Sequence, residues 1–141
     1  MTQWEKAKNI MDGQDCTCVI CGGETVHKSN RRGVAPLLQL LDEGVQAEGF
    51  SAADRVVGKA TAYLYCLLGV KEVYARIMSV PAEKVLKAAG IGVEYGQLVE
   101  GIQNRQKNGP CPMEYATRNC ETAQEALAAI RATLQALTNK G

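Results

Sequence analysis

The stretch SAADRVVGKATAYLYCLLGVKEVYARIMSVPAEKVLKAAGIGVEY, residues 51–95, decides the fold class. Ser51, with Asp54 three residues on, reads as a capping box. It opens a run in which Val56, Val57, Ala60, Ala62, Tyr63, Leu64, Leu67 and Leu68 surround most of a helix. A helix apolar on most sides is a buried one. Gly69 supplies its stop, and Glu72 to Met78 has the composition of a strand. Pro81 opens a second helix through Ala89, Gly90 ends it, and Gly92 to Tyr95 makes another short strand. Buried helix, strand, helix, strand implies parallel pairing through right-handed crossovers.

Upstream, Thr2 to Met11 reads as a helix with Trp4, Ala7 and Ile10/Met11 on one side and Gly13 as its stop. Thr17 to Cys21 and Thr25 to Lys28 are strand-like and flank Gly22-Gly23, a two-residue hairpin signal. Pro36 stands in the first turn of a helix through Leu41, ended by Gly44. Downstream, Leu98 to Arg105 fits a strand or a helix, and Pro112 opens a short helical turn. Thr122 with Glu125 forms another capping box for a closing helix to about Leu137. The expected architecture is one α/β domain over residues 1–141, with 1–13 as a helical extension. It is a three-layer α-β-α sandwich around a mixed sheet of four to five strands.

Composition narrows the class without naming a function. The chain of 141 residues is 46% hydrophobic and 22% charged, ordinary for a globular domain. Sixteen basic against fifteen acidic residues leave +1, a field too weak to imply nucleic-acid or membrane binding. The nearly apolar stretch from Val56 to Val70 is broken by Lys59 and is shorter than the ~20 residues that cross a bilayer. MTQWEKAKNIM lacks the apolar core of a secretory signal, so a cytoplasmic location is expected. The six cysteines, Cys16, Cys18, Cys21, Cys66, Cys111 and Cys120, are then expected as thiols.

Three clusters hold candidate chemistry. Cys16, Cys18 and Cys21 with His27 have the residue types of a zinc site. Strand alternation, however, sends Cys18 and Cys21 to opposite faces. No metal is expected there, and no cofactor elsewhere. Gly58 and Lys59 interrupt the apolar run; a glycine inside a helix costs about 1 kcal/mol against alanine, which implies a close approach to its backbone. The lysine beside it then faces either solvent or a cleft. The third cluster, NRQKNGPCPME, residues 104–114, puts Cys111 at a helix N-cap, Pro112 at the first position and Glu114 at the third. Unpaired N–H groups at a helix start favour a thiolate, and Arg105 adds positive charge or an anion contact. The same residues also read as a cap, a core methionine and a surface charge.

The segments GVAPLLQLLDEG (33–44), GFSAADRVVGKATAYLYCLLGVKEVYA (49–75), GIGVEYGQLV (90–99), IQNR (102–105) and GPCPMEYA (109–116) resemble a family of small bacterial proteins. That family is similar in fold to cytidine deaminases, and VVGKA with CPME carries the likeness best. Zinc deaminases mount H-x-E at the start of the buried helix and P-C-x-x-C at the start of the next. By position Val57-Gly58-Lys59 takes the first place, and Ser79-Val80-Pro81-Ala82-Glu83 the second. Neither holds a zinc ligand. The resemblance therefore implies a deaminase-like cleft without zinc chemistry, holding a small nucleotide-like or anionic ligand through Gly58, Lys59, Asn104 and Arg105. Two alternatives stand beside it: a thiol enzyme with Cys111 as nucleophile and Glu114 or Lys59 moving protons, and a structural or regulatory oligomer. The partner expected is a small molecule, with a homodimer left open.

Overall fold

The computed structural model describes all residues except 104–108, 110, 140 and 141. Five strands, β1 (Cys18–Gly22), β2 (Thr25–Ser29), β3 (Ser51–Val57), β4 (Glu72–Ser79) and β5 (Gly92–Val99), form one sheet in the order β2-β1-β3-β4-β5. The hairpin β1–β2 is antiparallel and β1 runs antiparallel to β3, whereas β3, β4 and β5 are parallel. Helix α1 (Gln3–Gly13) covers one face, burying Ala7 and Met11 against Val19, Cys21 and Ala53. The other face carries α2 (Ala35–Asp42), α3 (Lys59–Leu68), α4 (Val80–Ala88), α5 (Pro112–Thr117) and α6 (Ala123–Asn139), which enclose the main core. The three layers and the mixed sheet expected from sequence are present. Among the described residues no helix is long and apolar enough to cross a membrane.

The first part of the stretch that decided the fold class forms two elements instead of one. Ser51 to Leu68 is not a single helix: Ser51–Val57 is the central strand β3, and the helix begins at Lys59. A continuously apolar run reads equally as a buried strand or a buried helix, because neither leaves a polar face to set the period. Tertiary context resolves it. Ala52 and Ala53 are fully buried on opposite faces, small enough for helices to approach from both sides. Ser51 caps nothing; its hydroxyl donates to Glu72 at 2.5 Å on the neighbouring strand. Asp54 is not a capping residue either. Its carboxyl is buried and accepts a bond from the Tyr65 hydroxyl at 2.7 Å.

The correction also moves Gly58, which stands in the break as the N-cap of α3 with extended backbone. Val57-Gly58-Lys59 thus spans the end of β3 and the start of the buried helix α3, which follows α2 in chain order. Elsewhere boundaries shift by a residue or two, and β5 runs on to Val99, so Leu98 belongs to a strand. Gly69 ends α3 in the left-handed conformation, φ +80°, as a C-cap glycine does. Thr122 and Glu125 form the expected box: the Thr122 hydroxyl accepts the Glu125 N–H at 3.1 Å.

Candidate functional site

In open sheets with parallel strands, ligands gather outside the carboxyl ends of those strands. Here β3 ends at Val57, and α3 leaves from Gly58 directly after it. Glycine offers no side chain to cap the helix, so the first N–H groups need another acceptor. Glu114 supplies one from α5: its Oε1 accepts the Lys59 backbone N–H at 2.6 Å. The position of α5 is fixed by the Cys111 N–H bonded to the Ile102 carbonyl at 2.9 Å, by Met113 buried in the core and by fully buried Thr117. A Cβ on residue 58 would stand 1.5 Å from Glu114 Oε1. The close approach inferred for Gly58 is therefore real, and the approaching group is a carboxylate of the same chain.

Burial pushes the half-buried Glu114 carboxyl above its ordinary range, while the Lys59 amide and the Lys59 charge pull it partly back. The Lys59 ammonium reaches across to the Arg118 carbonyl at 2.9 Å and lies 5.9 Å from the centre of the Tyr63 ring. Tyr63 in turn donates to the Cys120 carbonyl at 2.8 Å. Lys59, Tyr63 and Cys66 on α3, Lys84 on α4 and Cys120 ahead of α6 line a groove of about 650 Å³. Glu121 adds one acidic side chain to the same groove.

Of the residues singled out from sequence, Gly58, Lys59 and Glu114 are thus brought together. Cys111 opens α5 three residues ahead of Glu114, half-buried, and its side chain caps nothing. Asn104 and Arg105 lie outside the described residues. Glu114 and Lys59, named as proton carriers for Cys111, each bond one backbone group, Glu114 through Oε1 and Lys59 through its ammonium. The Cys16–Cys18–Cys21–His27 cluster is divided by the sheet: Cys18 belongs to the main core and Cys21 to the smaller one under α1. Among the described residues no three histidine, cysteine or acidic side chains are grouped to hold a metal.

The chain is matched by the family model described as TM1506, domain of unknown function (DUF1893), over residues 6–134. The chain belongs to the DUF1893 family. A solved DUF1893 family protein (TM1506) from Thermotoga maritima has the same fold at 21% identity, with a TM-score of 0.84, covering 91% of this chain and 87% of that one. No curated protein matches the chain. Membership in DUF1893 assigns no chemistry, so function rests on the residues themselves.

Sequence reading missed two features of this DUF1893 chain. One is the groove beyond Lys59, whose other residues come from three separate elements. The other is a buried polar chain in which Tyr65 lies between the Cys18 thiol, at 3.3 Å, and Asp54, at 2.7 Å. Desolvation pushes Asp54 up to about 7 against the hydrogen bonds from Tyr65 and the backbone of Val56 and Arg55. A lone acid in an apolar run was its only signal.

Thiol reactivity follows from these environments. Burial raises the thiols of Cys18, Cys21 and Cys66. Cys111 stands at a helix start, whereas Cys120 follows the end of α5. Limiting iodoacetamide at neutral pH should label Cys111 first, read by peptide mass mapping. Faster alkylation of Cys16 or Cys120 would remove the case for Cys111 as a nucleophile.

Proposed function

We propose that the protein is a binding module, taking a small molecule with an anionic group and an apolar portion in the groove beside α3. The observation that carries this is that Lys59 and Lys84 both line one groove of about 650 Å³ between α3, α4 and the start of α6. That volume lies within the ~300–1,000 Å³ of small-ligand sites. Two cations facing one acid, Glu121, favour a negative group. Val85, Cys66 and the Tyr63 ring favour an apolar one. The protein is read as a metal-independent relative of deaminase-like folds. The buried helix α3 starts at Gly58-Lys59-Ala60 and the next helix, α4, at Ser79-Val80-Pro81. Neither offers the H-x-E or P-C-x-x-C residues of zinc deaminases.

Phenyl phosphate, which joins both features, is the probe. Titration should move the backbone amide signals of Lys59, Tyr63 and Lys84 saturably. Lys59→Ala and Lys84→Ala should each weaken binding about fivefold, the size of one exposed charge contact. Unchanged affinity in both variants, or no saturable change at millimolar probe, would exclude the groove as the site.

A further inference from the structure

Apart from that groove, the sheet and α2 enclose a smaller cavity of about 290 Å³. Ile20 of β1 and His27 of β2 are paired across the hairpin, and Cys18 lies two residues before Ile20, on the same sheet face. Pro36, Gln39 and Glu43 close the cavity from α2. The space between a sheet face and a helix is a slot, which suits a flat molecule. Its mouth is polar: Gln39 is exposed, accepts from Arg31 at 3.0 Å and donates to Glu43 at 3.3 Å. The His27 ring lies roughly parallel to Phe50, with centres 6.5 Å apart.

The inner wall is what distinguishes this cavity from a packing gap. Cys18, only 3% exposed, lines it and is the outer end of the Cys18–Tyr65–Asp54 chain. Burying three hydrogen-bonding side chains is costly unless each is satisfied, and well-packed apolar residues would serve stability as well or better. Tyr65 is fully buried and Asp54 nearly so, and no cation pairs with Asp54 among the described ion pairs. A buried polar chain with no cation to balance its acid, running from the core to a cavity wall, has its use at the cavity. With the Tyr65 proton given to Asp54, Cys18 donates its S–H to the Tyr65 oxygen, so an occupant that bonds the sulfur changes the hydrogen bonding behind it.

We propose that the cavity between the β1–β2 hairpin and α2 is a second binding site, for a small, flat, neutral molecule carrying hydrogen-bond donors and acceptors, with the Cys18 thiol as its inner contact.

Benzamide has this chemistry and is the probe, used on the full chain. Saturable movement of the Cys18, His27 and Gln39 amide signals is expected, with a Kd on the order of 1 mM for so small a ligand. The Lys59 and Lys84 signals should stay in place, which separates this site from the groove beside α3. The S–H infrared band of Cys18, assigned by its loss in Cys18→Ala, should shift on binding. Gln39→Trp, at an exposed position, should fill the mouth and weaken binding at least tenfold. Gln39→Phe makes the same test if the larger ring is not accepted. Movement confined to the Lys59 groove, binding unaffected by both Gln39 variants, or an S–H band unmoved at saturation would each overturn the proposal.

Discussion

Asp54→Asn should abolish most of the loss of stability that the wild-type chain shows as pH rises from about 4 to about 7. An aspartate in the unfolded chain titrates near 3.9, whereas burial holds Asp54 at about 7 in the fold. Between these values the folded state binds the proton that the unfolded state has released. The slope of unfolding free energy with pH is then negative. The stability due to a neutral Asp54 is present in full below about 4 and is gone once the pH passes about 7. At about 1.4 kcal/mol per pH unit the span is on the order of 4 kcal/mol, an upper bound for one group. In a chain of 141 residues this corresponds to a Tm change on the order of 10 °C. Asparagine cannot ionise, yet it keeps an oxygen for the Tyr65 hydroxyl. Glu114, also raised, leaves a smaller slope of the same sign in the variant. Thermal melts at pH 4, 5.5 and 7 decide the matter, and parallel curves for the two proteins would show that Asp54 does not titrate inside the fold.

That Asp54 belongs to the core could be read from the sequence only in part. The fold was legible where residues alternate: Cys18 and Ile20 against Val19 and Cys21 gave the two faces of β1, and these divide between the two cores. Local stops were legible too, because Gly69 and the Thr122–Glu125 box act within a turn of their own position. The break at Gly58 was not. Valine and alanine on both sides of it satisfy a buried strand and a buried helix alike. Asp54, three residues after a serine, then imitated a cap. The site was legible as residue types and illegible as contacts. Gly58 and Lys59 announce a close approach, but the group that approaches is 55 residues away in sequence. No periodicity links α3 to α5, and the groove has walls from three elements whose packing no local pattern encodes.

Gly58→Ala is the second large effect expected, and it tests that long-range contact directly. Backbone strain is not the reason, since Gly58 is extended at φ −99°, ψ −176°. The reason is space. The new methyl would lie 1.5 Å from Glu114 Oε1 and 3.1 Å from Ile102 Cγ1, so Glu114 must leave. Its departure uncaps α3, a loss of about 0.5–2 kcal/mol. It also disturbs α5, whose buried Met113 and Thr117 resist displacement. Together these should cost on the order of 3 kcal/mol in urea unfolding, in the range of severe single substitutions. Glu114→Ala alone loses the cap but relieves no clash, and should cost about 1 kcal/mol. The two changes act on one contact and should not add. In the double variant the methyl enters the space the carboxylate has vacated, and the cost should fall to nearly that of Glu114→Ala, a coupling of about 3 kcal/mol. Additive losses would mean that Gly58 is required for something other than Glu114, with the close-packed Ile102 the first residue to examine. Recovery in the double variant would establish that the α3 start, and with it the backbone end of Lys59, is held in place by a carboxylate from α5.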